Sequence, residues 1–265
     1  MILHKGKLLG KHALVTGGGK GIGLAIATAL LAEGATVTVA GRNEETLQTA
    51  VDELVTLTGA KGRVQYVVVD VSDALSVKLG FQQAQADKGG IDILVNNAGQ
   101  ASSASFLKTD AALWQQMLDV NLNGTFHCTQ QVLPAMLETG WGRIVNVVST
   151  AGLKGYSYVS AYCAAKHAVI GLTRSLAMEV ASKGVTVNAV CPGYTETDIV
   201  RDAVANIMAK TGRTESQAKA ELAAGNPQKR LVQPQEVADA VAWLCMDGAS
   251  AMNGQSIAVA GGEVM

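Results

Sequence analysis

Tyr162 and Lys166 stand four residues apart in the stretch Ser160-Ala161-Tyr162-Cys163-Ala164-Ala165-Lys166-His167, whose composition favours a helix that would put both on one face. A free phenol titrates near about 10, so it serves as an acid-base group near neutrality only where a cation stabilises its phenolate. Lys166 is placed to be that cation. The same spacing suits an ordinary helix whose tyrosine packs and whose lysine reaches solvent, so the pair takes its meaning from what surrounds it.

A second candidate is Gly17-x-x-x-Gly21-x-Gly23, between an apolar run ending at Thr16 and a helical apolar face made by Leu24, Ile26, Ala27, Leu30 and Leu31. Between a strand and a helix, glycines let a pyrophosphate approach the backbone and rest on the helix N-terminus. The spacing departs from G-x-G-x-x-G, and a tight turn without a ligand is the plainer alternative. An acidic residue that would bind a ribose 2'-hydroxyl is missing after the second apolar run, which ends Ala40-Gly41-Arg42-Asn43. Arg42 and Lys20 instead offer cations to a 2'-phosphate, which favours NADPH over NADH. The alternative is two solvated surface cations, tempered by Glu44 and Glu45.

These candidates need a scaffold, and apolar runs over 12–16, 36–40, 64–69, 91–95, 143–148, 185–190 and 255–260 read as seven buried strands. Helical patterns lie between them, over 43–57, 72–86 with Ser72 as cap, 110–136, 157–181 and 234–244. The unbroken alternation predicts an α/β fold, one doubly wound domain over residues 1–265 with a seven-stranded parallel sheet. Residues 195–225 are too polar to cover a sheet; they read as a helical flap over the substrate, or as a solvated helical insertion.

Composition narrows the class further. With 265 residues, 48% hydrophobic and 16% charged, the chain can bury a large core, and a net charge of -1 gives no attraction for nucleic acid or an anionic membrane. Cys128, Cys163, Cys191 and Cys245 lie far apart, so neither a metal site nor a disulfide framework is expected. The N-terminal run Met1-Ile2-Leu3-His4-Lys5-Gly6-Lys7 lacks a long apolar segment, and residues 22–40 are interrupted by Glu33-Gly34, so no membrane span and a cytoplasmic protein are expected.

Thr16-Gly17-x-x-x-Gly21-x-Gly23, Asp70, Asn96-Asn97-Ala98-Gly99, Asn121, Ser149, Tyr162-x-x-x-Lys166 and Pro192-Gly193, in this order over nearly the whole chain, resemble the short-chain dehydrogenase/reductase family. The resemblance implies a Rossmann domain in which Tyr162 is the acid-base, Lys166 lowers its pKa and holds the nicotinamide ribose, Ser149 polarises the substrate carbonyl and Asn121 supports a water-linked proton relay. It implies that the glycine loop with Gly17, Gly19, Lys20, Gly21, Ile22 and Gly23 binds the cofactor phosphates. Asp70, Val71, Asn97, Ala98 and Gly99 would border adenine and ribose, and Pro192, Gly193, Thr195 and Thr197 the nicotinamide amide. Ala151, Tyr156 and Tyr194 would join Ser149 and Tyr162 against the substrate, and a homotetramer is implied.

Physical logic runs beside this: Ser149 would end a strand and Tyr162 would begin the next helix, so both reach the carboxyl edge of the sheet. Thr150, Ser157 and Ser160 are less well placed than Ser149. Tyr156 and Tyr158 have no lysine four residues on and read as pocket lining, while His127 and His167 lack a partnered nucleophile or metal-ligand spacing. Cys163 faces elsewhere on the helix and reads as packing. The stretches Val232-Gln233-Pro234-x-Glu236-Val237-Ala238 and Cys191-Pro192-Gly193-Tyr194-x-Glu196-Thr197 resemble those of β-ketoacyl and polyketide reductases, and also of hydroxyacyl and cyclic-alcohol dehydrogenases. The expected activity is NADPH-linked reduction of a ketone, such as a 3-oxoacyl thioester or other bulky carbonyl compound. An NAD-linked secondary-alcohol or hydroxyacyl dehydrogenase and a non-catalytic cofactor-binding protein are the alternatives.

Overall fold

The computed structural model describes residues 6–264; Met1 to Lys5, the beginning of the N-terminal run considered above, lie outside the described residues. All seven predicted strands form, as β1 (His12–Thr16), β2 (Thr36–Gly41), β3 (Val64–Val68), β4 (Ile93–Asn96), β5 (Gly142–Val147), β6 (Val185–Pro192) and β7 (Ser256–Val259). They make one parallel sheet in the order β3-β2-β1-β4-β5-β6-β7. The apolar runs are continuous rather than alternating because the central strands are buried on both faces.

Alternate residues of each strand feed different cores. Ala13 and Val15 of β1 pack with α1 (Gly21–Ala32), α2 (Glu44–Thr58) and α9 (Pro234–Cys245). Leu14 points the other way, towards α3 (Ala74–Lys88), α5 (Gly124–Thr139) and α6 (Ser160–Val180). The chain winds outward from β1 to β3, then crosses back to β4 on the other side of β1. Loops following β1 and β4 therefore diverge at a topological switch point, where sheets of this kind open a ligand crevice.

Two local expectations change. The predicted helix over 110–136 is interrupted: α4 (Ala111–Leu118) and α5 are joined by a π turn, Asp119–Asn123, which carries Asn121. Asp73, rather than Ser72, caps α3, with its carboxylate accepting from the amides of Leu75 and Ser76. Ser72 is occupied elsewhere, donating both its hydroxyl and its amide to Asp70 Oδ1. The polar stretch after β6 folds into α7 (Asp198–Thr211) and α8 (Glu215–Leu222), which share a small core of Val200, Val204, Ala218, Ala223 and Leu231. Its roots are pinned by a parallel bridge between Thr195 and Val232.

Far from the carboxyl edge, His12 is buried, with Nδ1 2.9 Å from the Gly89 carbonyl and Nε2 2.8 Å from the Thr38 hydroxyl. Burial lowers its pKa below the usual value, against the opposing pull of the Gly89 carbonyl and Asp92. The unfolded chain therefore binds a proton that the folded chain refuses, and this part of the stability, intact above the unfolded value near about 6.5, is lost as pH falls from there through the lower folded value. Urea midpoints measured above and below that pH should differ less in His12→Asn than in the parent protein; an unchanged difference would refute the assignment.

Candidate active site

The carboxyl ends of the strands enclose a cleft of about 760 Å³ that runs from the glycine loop to the Tyr156–Tyr194 wall. At one end, Thr16 and Asn97 clasp the turns after β1 and β4. The Asn97 side-chain amide donates to the carbonyls of Thr16 at 2.9 Å and Gly17 at 3.1 Å, while the Thr16 hydroxyl accepts from the amides of Asn97 and Ala98, both at 3.0 Å. Gly17 and Gly21 take positive φ, 63° and 54°, which favours glycine. A Cβ on Gly23 would fall 2.1 Å from the Gly17 carbonyl oxygen and 2.6 Å from Asn97 Nδ2, so the cradle is built to the dimensions of bare backbone.

No side chain caps α1, and its first turn carries no acidic residue. By contrast α2 is capped by Asn43 and begins with Glu44 and Glu45. An uncapped helix N-terminus behind a glycine cradle suits an anion, so the residues present fit a dinucleotide pyrophosphate. Arg42 is exposed at the rim and Lys20 lies 3.6 Å from Asp198 of α7. Burial alone would raise the Asp70 carboxyl, but its Ser72 hydrogen bonds and the Arg42 cation together hold it below the usual range.

At the other end β5 stops at Val147, and Ser149 follows with its hydroxyl accepting from the Ala151 amide at 3.1 Å. Tyr162 lies in the first turn of α6, near enough to Ser149 for that hydroxyl to favour the phenolate. One turn on, the Lys166 ammonium is 5.7 Å from the Tyr162 ring centroid and donates to the Val147 carbonyl at 3.0 Å. Burial dominates both groups: it pushes Tyr162 up to about 12, against the pull of the nearby Ser149 hydroxyl, and pulls Lys166 down to about 8. In the chain by itself burial holds the phenol above its ordinary value, and Lys166 is not among the groups that shift it.

Asn121 lies behind the cleft rather than in its lining, 1% exposed. Its Oδ1 accepts from the Gln100 amide at 3.2 Å and its Nδ2 donates to the carbonyls of Gln100 and Met117 at 2.9 and 3.0 Å. A Cβ on Gly99 would lie 2.9 Å from Asn121 Oδ1 and 3.5 Å from Lys166 Nζ, so the absence of a side chain there lets the two groups share one corner. π turns recur at such sites because they displace a backbone carbonyl from the helical ladder.

Gly17, Gly19, Lys20, Gly21, Ile22, Gly23, Arg42, Asp70, Val71, Asn97, Ala98 and Gly99 all line the cleft. So do Ser149, Ala151, Tyr156, Tyr162, Lys166, Pro192, Gly193, Tyr194, Thr195 and Thr197. Tyr158 does not: it is 66% exposed, with φ 67°, and it meets the fold through its carbonyl, which accepts from the Ala104 amide. His127 and His167 turn a ring nitrogen to the carbonyls of Val71 and Cys163. Thr150, ranked below Ser149 on sequence, also lines the cleft, as do Thr46 and Asp198, which no spacing singles out.

The short chain dehydrogenase family model matches residues 11–207. D-beta-hydroxybutyrate dehydrogenase of Cupriavidus necator is 40% identical over 258 residues, covering 97% of this chain and 99% of its own length. The 3-oxoacyl-acyl-carrier-protein reductase of Aquifex aeolicus is 38% identical over 256 residues, covering 97% and 98%. Among solved structures, a single-residue variant of actinorhodin polyketide ketoreductase with NADPH superposes with a TM-score of 0.90 at 39% identity, covering 96% of this chain and 97% of that one. The chain belongs to the short-chain dehydrogenase family.

Gly23→Ala should cost about 1–3 kcal/mol of stability through overpacking and abolish dinucleotide binding. Gly59→Ala, at φ 65° with open space around its Cβ, should cost about 1 kcal/mol through backbone strain and leave binding intact. Denaturant midpoints with fluorescence titration of cofactor distinguish the two, and equal behaviour of the variants would contradict the cradle.

Proposed function

We propose that the protein is an NADPH-dependent reductase that converts a ketone, such as a 3-oxoacyl thioester or related bulky carbonyl compound, to a secondary alcohol. The convergence of Ser149, Tyr162 and Lys166 at one end of a cleft whose other end is a glycine cradle carries this reading. When bound, the nicotinamide supplies the hydride. Ser149 and Tyr162 hold the substrate carbonyl oxygen between two hydroxyls and stabilise the charge that develops on it. Tyr162 then transfers its proton to that oxygen, and a phenol held near 12 keeps this proton until an alkoxide takes it. Lys166 offsets the negative charge left on Tyr162, and Asn121 steadies the corner through which a proton returns.

Arg42 and Lys20 receive the 2'-phosphate, a role supported by their places on the rim and by the end of β2, Ala40-Gly41, which is followed by Arg42 rather than an acid. Reductive direction and cofactor follow the NADPH-bound ketoreductase and the 3-oxoacyl reductase relatives. The D-beta-hydroxybutyrate dehydrogenase relative supports a second reading, oxidation of a secondary alcohol by the same residues with NAD. Turnover of a panel of β-ketoacyl thioesters and other ketones, followed by loss of nicotinamide absorbance with each cofactor, separates them: failure with every ketone, or a preference for NADH, removes the first reading.

Tyr162→Phe should lower turnover about 10²- to 10⁴-fold while leaving NADPH affinity nearly unchanged. Arg42→Ala should weaken NADPH binding and leave NADH binding alone. A homotetramer is part of the reading, supported by exposed Phe126 and Leu137 on α5 and Met178 on α6, the last 83% exposed. Sedimentation at the monomer mass would remove that part.

A further inference from the structure

Beyond β7 the chain turns through Gly261 and Gly262, both at positive φ, and carries Glu263 to the back of the cleft wall, where its side chain is only 5% exposed. Carboxylates are rarely buried so far without partners. Glu263 Oε1 accepts from the Tyr156 hydroxyl at 2.6 Å and pairs with the Lys154 ammonium at 3.1 Å. The Tyr156 oxygen is in turn 2.6 Å from the Thr150 hydroxyl. An ionised carboxylate only accepts, so Tyr156 must donate to it and Thr150 must donate to Tyr156. Lys154 also sits 4.9 Å from the Tyr156 ring centroid, closing the arrangement from its outer side. The other carboxylate oxygen would lie 3.1 Å from a Cβ on Gly193, in the turn after β6.

Tyr156, Thr150 and Gly193 line the cleft, while Glu263 and Lys154 stand behind them. One carboxylate thus gathers the segment that follows Ser149, the turn on the nicotinamide side and the chain beyond β7. A buried carboxylate is weak evidence for stability but can select one arrangement among several, and here that arrangement is the substrate-facing wall. Burial and the Glu263 hydrogen bond raise the Tyr156 pKa, so the phenol stays a neutral donor.

We propose that Glu263 is a positioning residue for the ketone: by accepting the Tyr156 hydroxyl it fixes the 150–156 loop and, through Thr150, the wall beside Ser149. This rests on the ketone-reductase reading. The dinucleotide end of the cleft is held by a different clasp, so loss of Glu263 should disturb one substrate and spare the other.

The test compares the parent protein with Glu263→Ala, Glu263→Gln, Tyr156→Phe and the Ala/Phe double variant, on a ketone that the parent reduces. Glu263→Ala should raise KM for the ketone about tenfold, the loss expected for one hydrogen bond to a charged group, with KM for NADPH within about twofold. Glu263→Gln keeps an acceptor oxygen and should recover most of the loss, and the double variant should be no worse than either single one. Equal ketone KM in Glu263→Ala and the parent, or a parallel rise in both KM values, would overturn the proposal. Amide hydrogen exchange across residues 150–156, without cofactor or substrate, should quicken in Glu263→Ala; unchanged exchange overturns it whatever the activity. A parent protein that reduces no ketone counts against the reductase reading alone.

Discussion

A desolvated ammonium sets the terms for the catalytic end of this molecule. Lys166 is 5% exposed, and among the described residues it finds one hydrogen-bond acceptor, the Val147 carbonyl at 3.0 Å. Burying such a charge costs several kcal/mol unless neighbouring dipoles and partners compensate. Several features follow from that demand. Strand β5 ends at Val147, aiming its last carbonyl at the ammonium. Residue 99 is glycine, and a side chain there would crowd Asn121 while just touching Lys166. Burial accordingly lowers the ammonium's pKa, and a bound ribose with its hydroxyl acceptors is the kind of group that would complete the site.

The helices that carry these residues are tied beneath the cleft by a buried polar ladder. Asn96 of β4 donates to Asn146 of β5 at 2.9 Å and to Thr129 of α5 at 3.2 Å, and Asn146 donates to Thr173 of α6 at 2.8 Å. Thr129 and Thr173 pass their own protons to helix carbonyls one turn back, and Thr125 does the same to the carbonyl of Asn121. The ladder therefore runs from the π turn through two strands to the helix of Tyr162 and Lys166. Hydrogen bonds in a low-dielectric core are strong when made and costly when broken, so such a chain favours a single relative placement of the two helices. Apolar packing of the same shape would hold them together while permitting sliding.

Much of this is legible in the residues. Parallel strands buried on both faces read as runs of Val, Ile and Ala, and the predicted bounds fall within two residues of β1 to β7. The cradle, Ser149, Tyr162 and Lys166 are legible because backbone turns and helical spacing are local properties. What escapes is set by distance. The π turn at Asp119–Asn123 uses residues that suit an α-helix equally well, so no periodic signal marks it. Tyr156 and Glu263 meet across 107 residues, and nothing local announces that contact. The direction of the Tyr162 shift is hidden too, because spacing places a cation nearby but does not reveal how thoroughly the pair is dried.

These differences divide the cleft into two kinds of wall. Around the glycine cradle, shape comes from backbone: positive φ at Gly17 and Gly21, the closeness of Gly23 to Gly17, and the Asn97 clasp. A Cβ on Gly23 there would collide with the Gly17 carbonyl, which cannot move aside. Around the end that holds Ser149 and Tyr162, shape comes from side chains borrowed from remote segments: Tyr156 on Glu263, and the base of the α7–α8 segment, where Lys219 and Gln233 both bind Glu196. Those contacts join side chains and lie outside the ladders of the sheet. A chain built this way can change which carbonyl compound it accepts while the hydride-transfer geometry stays fixed, because the two requirements are met by physically separate sets of interactions.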